Sequence, residues 1–146
     1  MVLLLIATAA TGLFAGAAIY VSGVEHPARV SCGTDLALRE FGPSYHRGAI
    51  MQASLAVVGA VAGLVAGWQQ RDWTTASAAL LLGSLVPFTL IVILPTNKRL
   101  LDPTLNPHDL EAGRLLARWG RLHAVRTLVS TVAFAMFLTR LAGVAG

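Results

Sequence analysis

Charge is scarce in this chain. Of its 146 residues only 12% are Asp, Glu, Lys or Arg, against 55% hydrophobic, and the mean hydropathy is +0.69. A chain so poor in charge cannot cover a soluble surface, and its composition is that of an integral membrane protein. Cysteine is scarcer still. The single Cys32 excludes an internal disulfide and any multi-thiolate metal site, and it is read as inert. A nucleotide-binding glycine motif, HExxH and CxxC are all missing. The net charge of +4 would suggest a nucleic-acid partner if the basic residues formed a surface patch. They cluster instead at the ends of apolar runs, which assigns them to topology and leaves no nucleic-acid partner.

What is present is four long apolar runs, at about 2–24, 48–68, 74–94 and 124–141. They predict an all-α fold: a single domain forming an integral membrane four-helix bundle, with two long polar loops on one side. The first run carries no charged side chain and covers about 35 Å of helix at about 1.5 Å per residue. It lacks the basic start of a signal peptide and reads as a retained helix. The link from Trp68 to Thr74 is short, with Trp68 and Trp73 as interfacial anchors. The other two links, Glu25–Arg47 and Pro95–His123, are long and polar, and each joins an odd span to the next even one, so both lie on one side. Counting Arg126, every Lys and Arg except Arg71 and Arg140 falls there, as do all four histidines. The positive-inside rule then puts the loops in the cytoplasm of an inner or plasma membrane and both termini outside. Gly12 with Gly16, and Gly59, Gly63 and Gly67, allow close helix approach within the bundle or between copies in a homo-oligomer. Pro87 is expected to bend the third span.

The polar links carry the chemistry. In the first, Pro27 is expected to push His26 out of helical geometry, and Glu25 and His26 stand out at the end of an uncharged span. Thr34–Phe41 reads as a short amphipathic surface helix ended by Gly42 and Pro43, with Ser44 capping the second span and Tyr45 anchoring at the headgroups. In the second link, Pro95, Pro103 and Pro107 break the incoming helix. Asn106 then caps a new one, at about 107–123, that runs straight into the fourth span. On it Trp119, His123 and Arg126 fall at i, i+4 and i+7, on one face. An Arg126 facing the bundle needs a partner, and Glu25 is the expected one. Asn97 has no topological role, so a hydrogen-bonding one is weighed for it, while Arg114, Arg118 and Arg121 point to other faces and read as solvated or lipid-bound.

The segments LPTNKRLL (94–101) and LLARWGRLHAVRT (115–127), with AGAAIYVSGVEHP (15–27), resemble the signature of the anthrone oxygenase-like family of small four-helix membrane proteins. The resemblance covers almost the whole chain in order. It implies a four-helix membrane fold and, for the characterised minority, oxidation of a polycyclic anthrone to an anthraquinone by dioxygen. The matched polar positions are Glu25, His26, Asn97, Arg99, Trp119, His123 and Arg126.

That chemistry needs a general base, donors for an enolate oxygen and a flat apolar pocket. His123 or the Glu25–His26 pair would be the base, Arg126 and Asn97 would hold the oxyanion, and Trp119 would stack on the rings of a small apolar aromatic substrate. The cofactor stays open between none, haem, and a single iron or copper ion; His26 and His123 are the cofactor ligands only if haem or such an ion is present. A non-catalytic binding or assembly protein, with membrane lipid as its constant partner, is the reading from another class.

Overall fold

The computed structural model describes residues 1–145 and contains four long helices: α1 (Val2–Ser31), α2 (Thr34–Gln70), α3 (Trp73–Leu100) and α4 (Leu110–Ala145). Each is long and apolar enough to cross a membrane, and no strand occurs among the described residues. α1 packs on α2 and α4, and α3 packs on the same two, while α1 and α3 hardly touch across the diagonal. The result is an up-down-up-down ring. Three apolar clusters stack along its axis: Leu4, Ala78 and Phe137 at one end, Phe14, Leu82 and Ala133 in the middle, and Phe41, Ile93, Leu116 and Trp119 at the other. Large apolar side chains such as Leu13, Val58, Leu80 and Leu128 cover the outside, where lipid solvates them.

The polar links differ from the expectation in one respect: most of their residues are helical. α1 continues through His26 and Pro27 to Ser31, and α2 begins at Thr34 and runs without a break to Gln70. Only Cys32 and Gly33 join them, Gly33 taking the positive φ of +92° that the reversal needs. The expected stop at Gly42–Pro43 is absent, and Ser44 lies inside the helix rather than capping it. The clash that drives the residue before proline out of the helical region falls largely on its Cβ, and Gly42 has none.

His26 likewise stays helical, at φ −65° and ψ −46°. Here the strain is absorbed one turn earlier, where Val21–Glu25 opens into a π turn that ends two residues ahead of Pro27. α3 repeats the device, with a π turn at Thr89–Ile93 ending two residues ahead of Pro95. A wider turn at these points accommodates a proline that can neither donate to the ladder nor fit against the preceding carbonyl. The fourth helix starts at Leu110 rather than at Pro107. The Asn106 side chain accepts from the His108 N–H at 3.0 Å and closes a turn instead of capping a helix.

At the opposite end, Arg71 in the left-handed region closes α2 and Asp72 caps α3, accepting from the Thr74 and Thr75 N–H groups. Asp72 also accepts from Arg140 Nε at 2.6 Å, which ties α4 to this turn. The second glycine run serves the bundle itself. A Cβ on Gly63 would lie 2.6 Å from the Phe137 ring, and one on Gly67 2.8 Å from the Ala76 backbone nitrogen. Gly16 faces open space.

Candidate functional site

All four helices contribute to one cavity of about 530 Å³. It lies at the end of the bundle where both π turns stand. From α1 come Glu25 and Arg29, from α2 Tyr45 and Gln52, from α3 Asn97, and from α4 Trp119, His123 and Arg126. Phe14, Ala56, Leu85 and Ile93 supply apolar wall. The i, i+4, i+7 spacing places Trp119, His123 and Arg126 along one lining face of α4, as the sequence pattern requires.

Trp119 is the hub. Its ring stacks on His123 (centroids 4.8 Å apart, 26° between planes), meets Phe41 edge-on at 5.4 Å and tilts against His26 at 5.0 Å. Its Nε1–H donates to Asn97 Oδ1 at 2.9 Å, and Asn97 is almost wholly buried. An indole N–H can only donate, so this bond fixes which end of the Asn97 amide is the oxygen. The amide NH2 of Asn97 makes no hydrogen bond among the described residues, and Asn97 lines the cavity. A donor is therefore held ready at the wall.

His123 is buried against α1. Its Nδ1 lies 3.0 Å from the Ser22 hydroxyl, and that hydroxyl lies 2.8 Å from the Thr127 hydroxyl. Arg126 donates from Nη2 to Gln52 Oε1 at 2.7 Å and sits over the Phe14 ring at 5.3 Å. No carboxylate within 4.0 Å pairs with it among the described residues. The expected Glu25–Arg126 pair is thus replaced. Glu25 is held by Arg29 one turn further on, and Ser44 donates to the same carboxylate at 2.7 Å. Arg29 is itself buried, reaches Glu40 at 2.6 Å through Nε and lies 5.8 Å from the centres of both the Phe41 and Trp119 rings.

Of the residues singled out in the sequence, Glu25, Asn97, Trp119, His123 and Arg126 line the cavity together. His26 stands behind it, packed on Trp119 and against Gly120, where a Cβ would come within 2.6 Å of its Nε2. Arg99 lies outside, paired with Asp102 and Glu111. His46 and His108 are exposed. Tyr45, expected as a headgroup anchor, stacks on Phe41 at 5.7 Å and faces the cavity. Arg29, Gln52 and Ser22 do not emerge from the sequence. Gln52, a lone buried amide in an apolar run, is the findable one, and Arg29 can be read from its i, i+4 relation to Glu25. Ser22 carries no local signal. Among the described residues no three His, Cys, Asp or Glu side chains converge as a metal site. His26 and His123 both abut the Trp119 indole.

Residues 41–136 match the anthrone oxygenase family model. This chain belongs to the anthrone oxygenase family. A curated relative, anthrone oxygenase TpcL of Aspergillus fumigatus, is 35% identical over 132 residues, covering 81% of this chain and 80% of the relative. No solved structure matches. The family match begins at Phe41 and ends at Met136, so it takes in the cavity-lining stretches of α2, α3 and α4. An oxygenase-type activity is a property of this family, and a helical membrane bundle is its frame in this chain.

Proposed function

We propose that this chain is a membrane oxidoreductase that oxidises a flat aromatic carbon acid of the anthrone type with dioxygen, inside the four-helix cavity. The observation that carries the reading is the meeting of His123, Asn97 and Arg126 with the Trp119 ring at one largely apolar cavity. Its size falls in the range of about 300–1,000 Å³ usual for small-molecule sites.

An anthrone carries an acidic CH2 opposite a ring carbonyl. His123 takes one proton from that carbon, and the negative charge moves to the carbonyl oxygen, where the Asn97 amide and the Arg126 guanidinium stabilise it. The electron-rich enolate adds dioxygen at the former CH2 carbon, and the protonated imidazole returns its proton to give a hydroperoxide. Loss of the second C–H proton, with cleavage of the O–O bond and departure of hydroxide, leaves a carbonyl. The balance is one anthrone and one dioxygen to one quinone and one water. The carbon is oxidised and both oxygen atoms are reduced. Trp119 offers a face for the rings, and Phe14, Leu85 and Ile93 keep bulk water away.

The cavity end of the bundle is assigned to the cytoplasmic side by the distribution of Lys and Arg. The test is dioxygen uptake by the purified chain in lipid with dithranol or emodin anthrone, corrected for spontaneous oxidation. Uptake above that background, with quinone formed in equal amount, is the expected result. A rate equal to background with both compounds removes this substrate class.

A further inference from the structure

The chain of hydroxyls behind His123 has a direction, and that direction decides which imidazole nitrogen faces the cavity. Thr127 Oγ1 has one proton and three oxygen neighbours: the Ala18 carbonyl at 3.0 Å, the His123 carbonyl at 3.2 Å and Ser22 Oγ at 2.8 Å. Carbonyl oxygens accept only, so contact with them is favourable only if Thr127 gives its proton to one of them. The 2.8 Å contact then requires Ser22 to donate to Thr127. Having used its only proton, Ser22 can meet His123 Nδ1 at 3.0 Å only as an acceptor, from an Nδ1–H. In the reverse order, Thr127 donates to Ser22 and Ser22 to His123, and both carbonyl contacts of Thr127 lose their proton. Every contact is satisfied in the first arrangement alone.

We propose that Ser22 and Thr127 are positioning residues that hold His123 in its Nδ1-protonated tautomer and so leave the Nε2 lone pair free for the cavity. Nε2 has no hydrogen-bond partner among the described residues, and His123 lines the cavity. The π turn Val21–Glu25 contains Ser22, so the same local widening that accommodates Pro27 also sets the hydroxyl behind the ring. Free imidazole exchanges between tautomers, and a base that must present one nitrogen gains from a partner on the other. The consequence for catalysis rests on the proposed role of His123 as the base; the tautomer itself does not.

The experiment separates the two. The full chain, labelled with 15N-histidine and held in nanodiscs, is read by nitrogen NMR, the His123 signals being assigned by their loss in His123→Gln. Wild type should show a protonated Nδ1 and an unprotonated Nε2. Ser22→Ala and Thr127→Val should each give a tautomer mixture, while Ser22→Thr should restore the single form. A protonated Nε2 in wild type, or a signal unchanged in both disruptive variants, overturns the proposal. With an anthrone substrate, Ser22→Ala should lower kcat about 10–100-fold at constant KM, as loss of an orienting partner behind a functional imidazole does. A tautomer that shifts as expected without any change in turnover sustains the assignment and removes His123 as the base.

Discussion

At the scale of single residues, the cavity divides its work between one imidazole and two donors. If His123 is the base, His123→Ala should lower turnover of an anthrone by about 10²–10⁴ while the protein stays folded, measured as background-corrected dioxygen uptake. Asn97 makes a separate prediction because its amide is oriented by Trp119. Asn97→Leu should cost about 10²–10³ in kcat, the usual loss for one oxyanion donor. Trp119→Phe keeps a π-face but removes the N–H, so it should lower kcat in the same direction by less. The double variant should fall short of the product of the two effects, because they act through one amide. The stripe from Trp119 to Arg126 and the isolated Asn97 are legible in the sequence, since their spacing and their lack of a topological role mark them. The partner of Arg126 is not. Charge matching favours Glu25, but Arg29 stands four residues from Glu25 on the same helix and reaches it first, and Arg126 is left to an amide.

At the scale of elements, the far end of the bundle is stapled by one carboxylate. Burial would raise the pKa of Asp72, but hydrogen bonds from Thr75, Arg140 and the Thr74 N–H, with the charge of Arg140, outweigh it and hold the group below its ordinary value. A carboxyl with a lowered folded-state pKa contributes stability above its unfolded value and loses it as pH falls through the folded one. Asp72→Asn, which still caps α3, should therefore melt below wild type at neutral pH in detergent thermal scans. The gap should close as the pH drops below about 4, the unfolded carboxylate range. A constant gap across that range would show that the Asp72 charge contributes nothing. The helices themselves are readable from hydropathy, yet their ends are not. Pro27 and Pro43 look like breakers in the sequence, whereas a π turn ahead of one and a glycine ahead of the other let both helices continue. Neither remedy is visible in a count of breakers, because each depends on the backbone before the proline.

At the scale of the whole molecule, four spans bring the chemistry to one end and leave the other plain. If the basic residues set the orientation, single cysteines at Thr34 and Leu105 in a Cys32→Ser background should be shielded from impermeant thiol reagents in intact cells. A cysteine at Gln70 should react. The reverse pattern would place the cavity on the outer side. The two π turns carry a further consequence for how such a chain can change over time. Each holds one residue more than an α turn, which advances everything beyond it by about 100° around the helix axis. Losing any one residue from Val21–Glu25 would leave the span as apolar and nearly as long, so passage through the membrane would tolerate it. Glu25, His26 and Arg29 would nevertheless rotate off their present faces. Length is thus a silent variable along most of α1 and a strict one at this turn, where a change too small to disturb insertion would dismantle the cavity.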